Sequence, residues 1–198
     1  MGEAKRQEKA YQKARNDLFA SSNEEARIVG KTATALFDGF ILPNRFTGGC
    51  YITTMVLHLF LKREYEIDTK PVVGFVNDGT DNIMISHAWL EYEKQKTDLT
   101  LHVTERPDIQ LQGPLLVLDR VLRPGRVTYS YHLTRPPEGI LALQEMHASV
   151  VARKELEHQQ MLARAANEEL LIAYVDGAPP HLGYHAMTAA LRTKLVKE

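Results

Sequence analysis

The spacing of hydrophobic positions changes twice along this chain, from helical to alternating and back to helical. Residues 3–19 are densely charged, and Tyr11, Ala14 and Leu18 form a thin apolar stripe that predicts an exposed amphipathic helix. Ser21-Ser22-Asn23-Glu24-Glu25 supplies a cap and early acidic charge, predicting a second helix to about Phe37 that ends at Asp38-Gly39. Phe40 to Gly49, with Pro43 and the Gly48-Gly49 pair, reads as irregular. Over 50–63, Ile52, Met55, Val56, Leu59 and Phe60 recur at helical spacing on a broad face. That pattern predicts a central, largely buried helix.

After Asp68 the period falls to two. Val72, Val73, Phe75 and Val76 predict a strand, with a turn at Asn77-Asp78-Gly79. Ile83 to Tyr92 and Thr97 to Val103 extend this to an antiparallel meander across the polar link Glu93–Lys96. Two more strands are predicted near Leu115–Leu122 and Arg126–Leu133, joined by a type II turn at Arg123-Pro124-Gly125. Pro136-Pro137 closes the strand region. Residues 140–173 then read as mostly helical and solvated in their charged middle, and a last helix runs over 183–196. The expected plan is one α+β domain over 1–198, helical over 1–63, an antiparallel sheet over 70–134 and mostly helical over 138–197.

Composition narrows the function classes. At 44% hydrophobic and 25% charged residues the chain is ordinary for a globular protein, and a net charge of −1 gives no nucleic-acid footprint. No apolar run is long enough to span a membrane, and the charged start has no signal-peptide core. Met1-Gly2 is followed at position 6 by Arg6, so the myristoylation pattern fails. A single cysteine forms no internal disulfide, which points to a reducing, cytoplasmic location. The histidines outside the candidate site are scattered without ligand spacing, the i, i+4 pair His181/His185 included, so no metal or other cofactor is expected. Met146, Val150, Leu156 and Met161 are candidates for a homodimer contact through the C-terminal helices.

The chemistry is concentrated around Cys50. It follows Gly48-Gly49 at a helix start, where unpaired N–H groups and the helix dipole stabilise negative charge on sulfur. A cysteine nucleophile needs a base and a group to orient that base. His87 interrupts the strand Ile83–Tyr92 and shares a face with Ile85, Trp89 and Glu91. Asp98 follows eleven residues later at the head of the next strand, within reach of the His87 ring if the two strands pair.

Gly49-Cys50-Tyr51, His87-Ala88-Trp89-Leu90-Glu91 and Asp98-Leu99-Thr100, in this order, resemble the transglutaminase-like superfamily of cysteine enzymes. The match spans about 47–104 and looks most similar to uncharacterised bacterial proteins of this group. The resemblance implies a papain-like fold, with Cys50 as nucleophile, His87 as base and Asp98 as orienter. It also implies an oxyanion hole built from the Cys50 N–H and the side chain six residues earlier, here Asn44 in place of glutamine. The expected activity is thiolate-driven hydrolysis of a peptide or amide through an acyl-enzyme. The alternative is a catalytically inactive binding or scaffold protein of the same fold.

Overall fold

A computed structural model describes residues 2–104, 106 and 110–196. Among them are seven α-helices and six strands, in an α+β arrangement whose antiparallel sheet curls into a half-barrel. Helix α1 (Glu3–Ser21) buries Tyr11 and Leu18, two residues of its predicted stripe. Helix α2 (Glu24–Leu36) begins at Asn23, whose side chain accepts the Ala26 N–H at 2.8 Å.

The expected break at Asp38-Gly39 does not occur. The chain continues through a π-helical turn, Phe37–Ile41. Tertiary contacts override the local signal here: the Asp38 carboxylate accepts the Tyr11 hydroxyl at 2.9 Å and Arg15 at 3.3 Å. Gly39 is needed because a Cβ there would lie 2.8 Å from the Ala190 carbonyl oxygen.

Helix α3 (Cys50–Tyr65) is the centre of the molecule, with every residue from Tyr51 to Leu61 buried. It ends at Glu66, which adopts a left-handed conformation (φ 57°). The main sheet has the order β3-β2-β1-β6, formed by Gln95–Thr97, Ile85–Tyr92, Lys70–Asn77 and Ser130–His132. Its register pairs Gly74 with His87 and Leu90 with Thr97.

The third predicted strand is cut short at Thr97. Beyond it the Asp98 carboxylate accepts the N–H groups of Thr100 and Leu101, turning the chain away. The expected strand 115–122 is a hairpin, β4 (Leu115–Val117) and β5 (Arg120–Arg123). Its turn is Leu118-Asp119, both at positive φ (51° and 57°), as a type I′ turn requires. Arg123-Pro124-Gly125 therefore joins no hairpin, and β6 pairs with β1 instead. A single bridge between Asp98 and Leu116 ties the hairpin to the main sheet and continues its curl.

The C-terminal third divides into α4 (Pro137–Leu143), α5 (Ala148–Ala166), α6 (Glu168–Asp176) and α7 (Tyr184–Leu195). His147 and Asn167 cap new helices where one long segment is expected. Helix α5 is not simply solvated, because it turns His158 and Met161 inward and stacks His158 on Phe75 of β1. Met161 is consequently a core residue and no part of an outer face with Leu156, which is 60% exposed. One apolar cluster, from Tyr11 to Leu191, unites the helices with the face of the sheet that carries Val73, Ala88, Leu90 and Tyr92.

Candidate functional site

Cys50 is the first residue of α3 and is partly exposed. Gly49 at the cap position provides no side-chain cap, and the first intrahelical bond is from Thr53 N–H to the Gly49 carbonyl at 2.9 Å. The N–H groups of Cys50, Tyr51 and Ile52 thus precede the helical ladder and point toward the sulfur's end of the helix. Glycine is required at 49: a Cβ would fall 2.1 Å from the ring of Phe46, which packs edge-on against Phe40.

His87 projects from β2 and is 4% exposed. Its Nε2 donates to the Asp98 carboxylate at 2.6 Å, and Cys50 acts on the same imidazole by charge and side-chain hydrogen bonding. With Nε2 committed to Asp98, Nδ1 is the nitrogen left for the thiol proton. Asp98 is held in turn by the Tyr131 hydroxyl at 3.0 Å and the Thr100 N–H at 3.0 Å. The structure therefore brings Cys50, His87 and Asp98 together. The register explains how: carried one step past Leu90–Thr97, it sets Asp98 opposite Trp89, diagonal to His87 on the same face.

Burial is the largest influence on His87 and works against its charged form. The Asp98 carboxylate, followed by Cys50, outweighs it and raises the imidazole to about 10. Burial also opposes the Asp98 charge, but the His87 charge and surrounding donors hold that carboxyl below its ordinary value. Burial first, then the charge of Asp98, pushes the Tyr131 phenol upward, so Tyr131 remains a donor to Asp98. The three groups form a buried, mutually stabilised ion pair with its orienting hydroxyl.

Cys50 and His87 lie at a cavity of about 350 Å³. Ile85 and Leu101 from the strand region form one apolar wall, while Leu143, Met146 and Val151 from the α4–α5 region form the other. Lys154 and Glu157 of α5 bring charge to it.

Asn44 is not brought to this group. It is exposed, lies outside the cavity lining, and donates its side-chain amide to the Phe40 carbonyl at 2.8 Å. That bond closes the turn after the π-helical segment, so the amide serves the loop's own backbone.

Sequence reasoning missed a second polar chain at the cavity. The Tyr51 hydroxyl meets Ser86 Oγ at 2.7 Å, and Ser86 Oγ is hydrogen-bonded to Nδ1 of His158. These side chains tie α3, β2 and α5 together beside Cys50. The usable signal was slight: His158 and Met161, three residues apart, are the inward positions of an otherwise charged helix.

Among the described residues, no three His, Cys, Asp or Glu side chains converge as a metal site, and no helix is long and apolar enough to cross a membrane. Comparisons with protein-family models, curated proteins and solved structures found no match.

Proposed function

We propose that the protein is a cysteine hydrolase of papain-like or transglutaminase-like architecture, acting on a peptide or amide. The observation carrying this reading is the buried imidazole set between the Cys50 thiol and the Asp98 carboxylate at a substrate-sized cavity. His87, an imidazolium at rest, carries on Nδ1 the proton taken from Cys50, and the Cys50 thiolate attacks the carbonyl carbon. The Cys50 N–H at the uncapped start of α3 stabilises the resulting oxyanion. On collapse the C–N bond breaks and His87 protonates the departing amine, leaving a thioester on Cys50. His87 then takes a proton from water, the hydroxide attacks the thioester, and the acid leaves as the Cys50 thiolate is expelled beside the restored imidazolium. Asp98 keeps the ring in the required tautomer throughout. The single unpaired cysteine fits a reducing, cytoplasmic setting.

The reading is tested with p-nitrophenyl acetate as an activated acyl donor. Expected is release of p-nitrophenolate with an acetyl group mapped to Cys50, abolished by Cys50→Ala and strongly slowed by His87→Ala. Equal release by the Cys50→Ala protein overturns it. The engagement of the Asn44 amide by Phe40 favours a second reading, an inactive binding module of the same fold, because it leaves the oxyanion without that side-chain donor. Under that reading Cys50 reacts with iodoacetamide no faster than a free thiol and independently of His87.

A further inference from the structure

A second cavity, also of about 350 Å³, adjoins the first. The two share Val103 and Thr104, and the loop before α3 contributes Thr47 to the second and Gly48 to the first. The two cavities therefore border each other at the Val103-Thr104 segment, which a ligand with its carbonyl at Cys50 would have to cross to enter the neighbouring space.

The chemistry of the two spaces differs. The Cys50 cavity includes both signs of charge, with Lys154 and Arg135 against Glu155 and Glu157. The lining of the second includes Arg45 and Arg126 and, among the described residues, no carboxylate. Neither arginine has a carboxylate partner among the described residues, whereas Arg123 and Arg135 are paired with Glu8 and Glu155.

The surrounding backbone fixes where the two arginines start. Arg45 has φ 46°, unusual for a long side chain, and its N–H is tied to the Leu42 carbonyl at 3.2 Å. The Arg126 N–H is tied to the Gln112 carbonyl at 2.7 Å. His102 also lines this cavity: Nδ1 donates to the Gly113 carbonyl at 3.0 Å and Nε2 faces the Gln112 amide at 3.4 Å. Burial, its largest influence, lowers the His102 pKa, so the positive charge belongs to the arginines. Thr47 and Thr104 add hydroxyl donors.

We propose that this second cavity is an anion subsite, and that the substrate is an acyl compound whose far end carries a carboxylate or phosphate held by Arg45 and Arg126. The acyl half of this proposal rests on the cysteine-hydrolase reading; the anion half does not. Guanidinium groups suit either oxyanion, because both match their paired N–H geometry.

The test uses ω-functionalised chloroacetamides, which Cys50 alkylates by displacing chloride to leave a thioether. Probes with a terminal carboxylate or phosphate are compared with the neutral methylamide across a series of linker lengths. At one linker length the charged probe is expected to react about tenfold faster than the neutral one, a preference that falls with added salt. Arg45→Gln and Arg126→Gln each erase most of that preference. Arg27→Gln, on the exposed surface of α2, removes the same charge elsewhere and preserves it. The faster of the two anionic series identifies the head group. Equal charged and neutral rates at every length, with iodoacetamide still reacting in a His87-dependent way, overturn the subsite and leave the hydrolase reading standing. If iodoacetamide shows Cys50 to be an ordinary thiol, the subsite is decided by titrating inorganic phosphate and succinate into Cys50→Ala protein by NMR. Saturable shifts lost in Arg45→Gln support it, and no saturable shift overturns it.

Discussion

Two histidines flank the start of β2, and they are buried almost equally, His87 at 4% and His158 at 2% exposure. His87 meets a carboxylate; His158 meets the Ser86 hydroxyl and lies 4.2 Å from the Phe75 ring in a stacked arrangement. Burial pushes both toward the neutral form. It prevails at His158, whose pKa lies below the ordinary value, with Glu155 opposing and Arg135 assisting. At His87 the Asp98 charge reverses the outcome and raises the pKa to about 10. The partner therefore decides the charge state of a buried imidazole: of two neighbouring positions in β2, His87 is an imidazolium and Ser86 meets a neutral ring from α5.

The largest test converts one environment into the other. Asp98→Asn removes the charge while keeping the shape, so His87 becomes a buried ring without a counter-ion, as His158 is. If the site hydrolyses amides, turnover falls by about three to four orders of magnitude, because the wrong tautomer is favoured. Stability falls as well, by about 3 kcal/mol near pH 7 in urea unfolding. The pH dependence has a definite sign. A pKa raised from an unfolded value near 6.5 contributes fully below about pH 6.5 and is lost as pH rises through about 10. The gap between wild type and Asp98→Asn should consequently close between pH 7 and pH 10. A gap that stays constant would show that the ion pair is not its source.

Tyr131→Phe sharpens the comparison more gently. It removes one donor from the Asp98 carboxylate, a hydrogen bond of 3.0 Å to a charged acceptor, and should cost about 1.5–3 kcal/mol. The lowered Asp98 pKa contributes stability above its unfolded value, which is lost on acidification through its folded value. Losing the Tyr131 donor raises that folded value, so the acid limb of the stability profile moves to higher pH. In an Asp98→Asn background the same substitution should cost clearly less, and additive losses would deny that the hydroxyl acts through the carboxylate.

How much of this was legible depended on whether the cause was local. The buried helix α3 and the strands β1 and β2 follow from apolar runs at their own period. The meeting of His87 with Asp98 follows from a short hairpin link and strand alternation. The end of β3 did not, because the Asp98 side chain serves at once as partner to His87 and as acceptor for its own turn. The Leu118-Asp119 turn carries no glycine to announce its positive φ values. The π-helical turn depends on Tyr11 and on α7, both distant in sequence. The same holds for His158, whose partner Ser86 lies 72 residues away in a run read only for His87.

The smallest effect isolates the neutral member of the pair. His158 binds no proton in the fold near neutrality, whereas the unfolded chain takes one up near pH 6.5. Its contribution is intact above that pH and drains as pH falls toward the depressed folded value, by at most about 1.4 kcal/mol per pH unit. His58 and His102, also lowered by burial, act in the same direction. The His87–Asp98 pair does not: its histidine contributes fully below about pH 6.5, and its carboxylate is lost only below the ordinary carboxyl range. Acid destabilisation between pH 6.5 and 5 is thus assigned to the neutral rings. His158→Asn keeps a polar neighbour for Ser86 but cannot titrate, so its stability should fall about 0.5–1 kcal/mol less than wild type between pH 7.5 and 5.5. Urea midpoints at those two pH values measure the difference. Parallel losses in the two proteins would mean that His158 takes up its proton at the same pH in the fold as in the unfolded chain, and that burial without a carboxylate does not hold a ring neutral here.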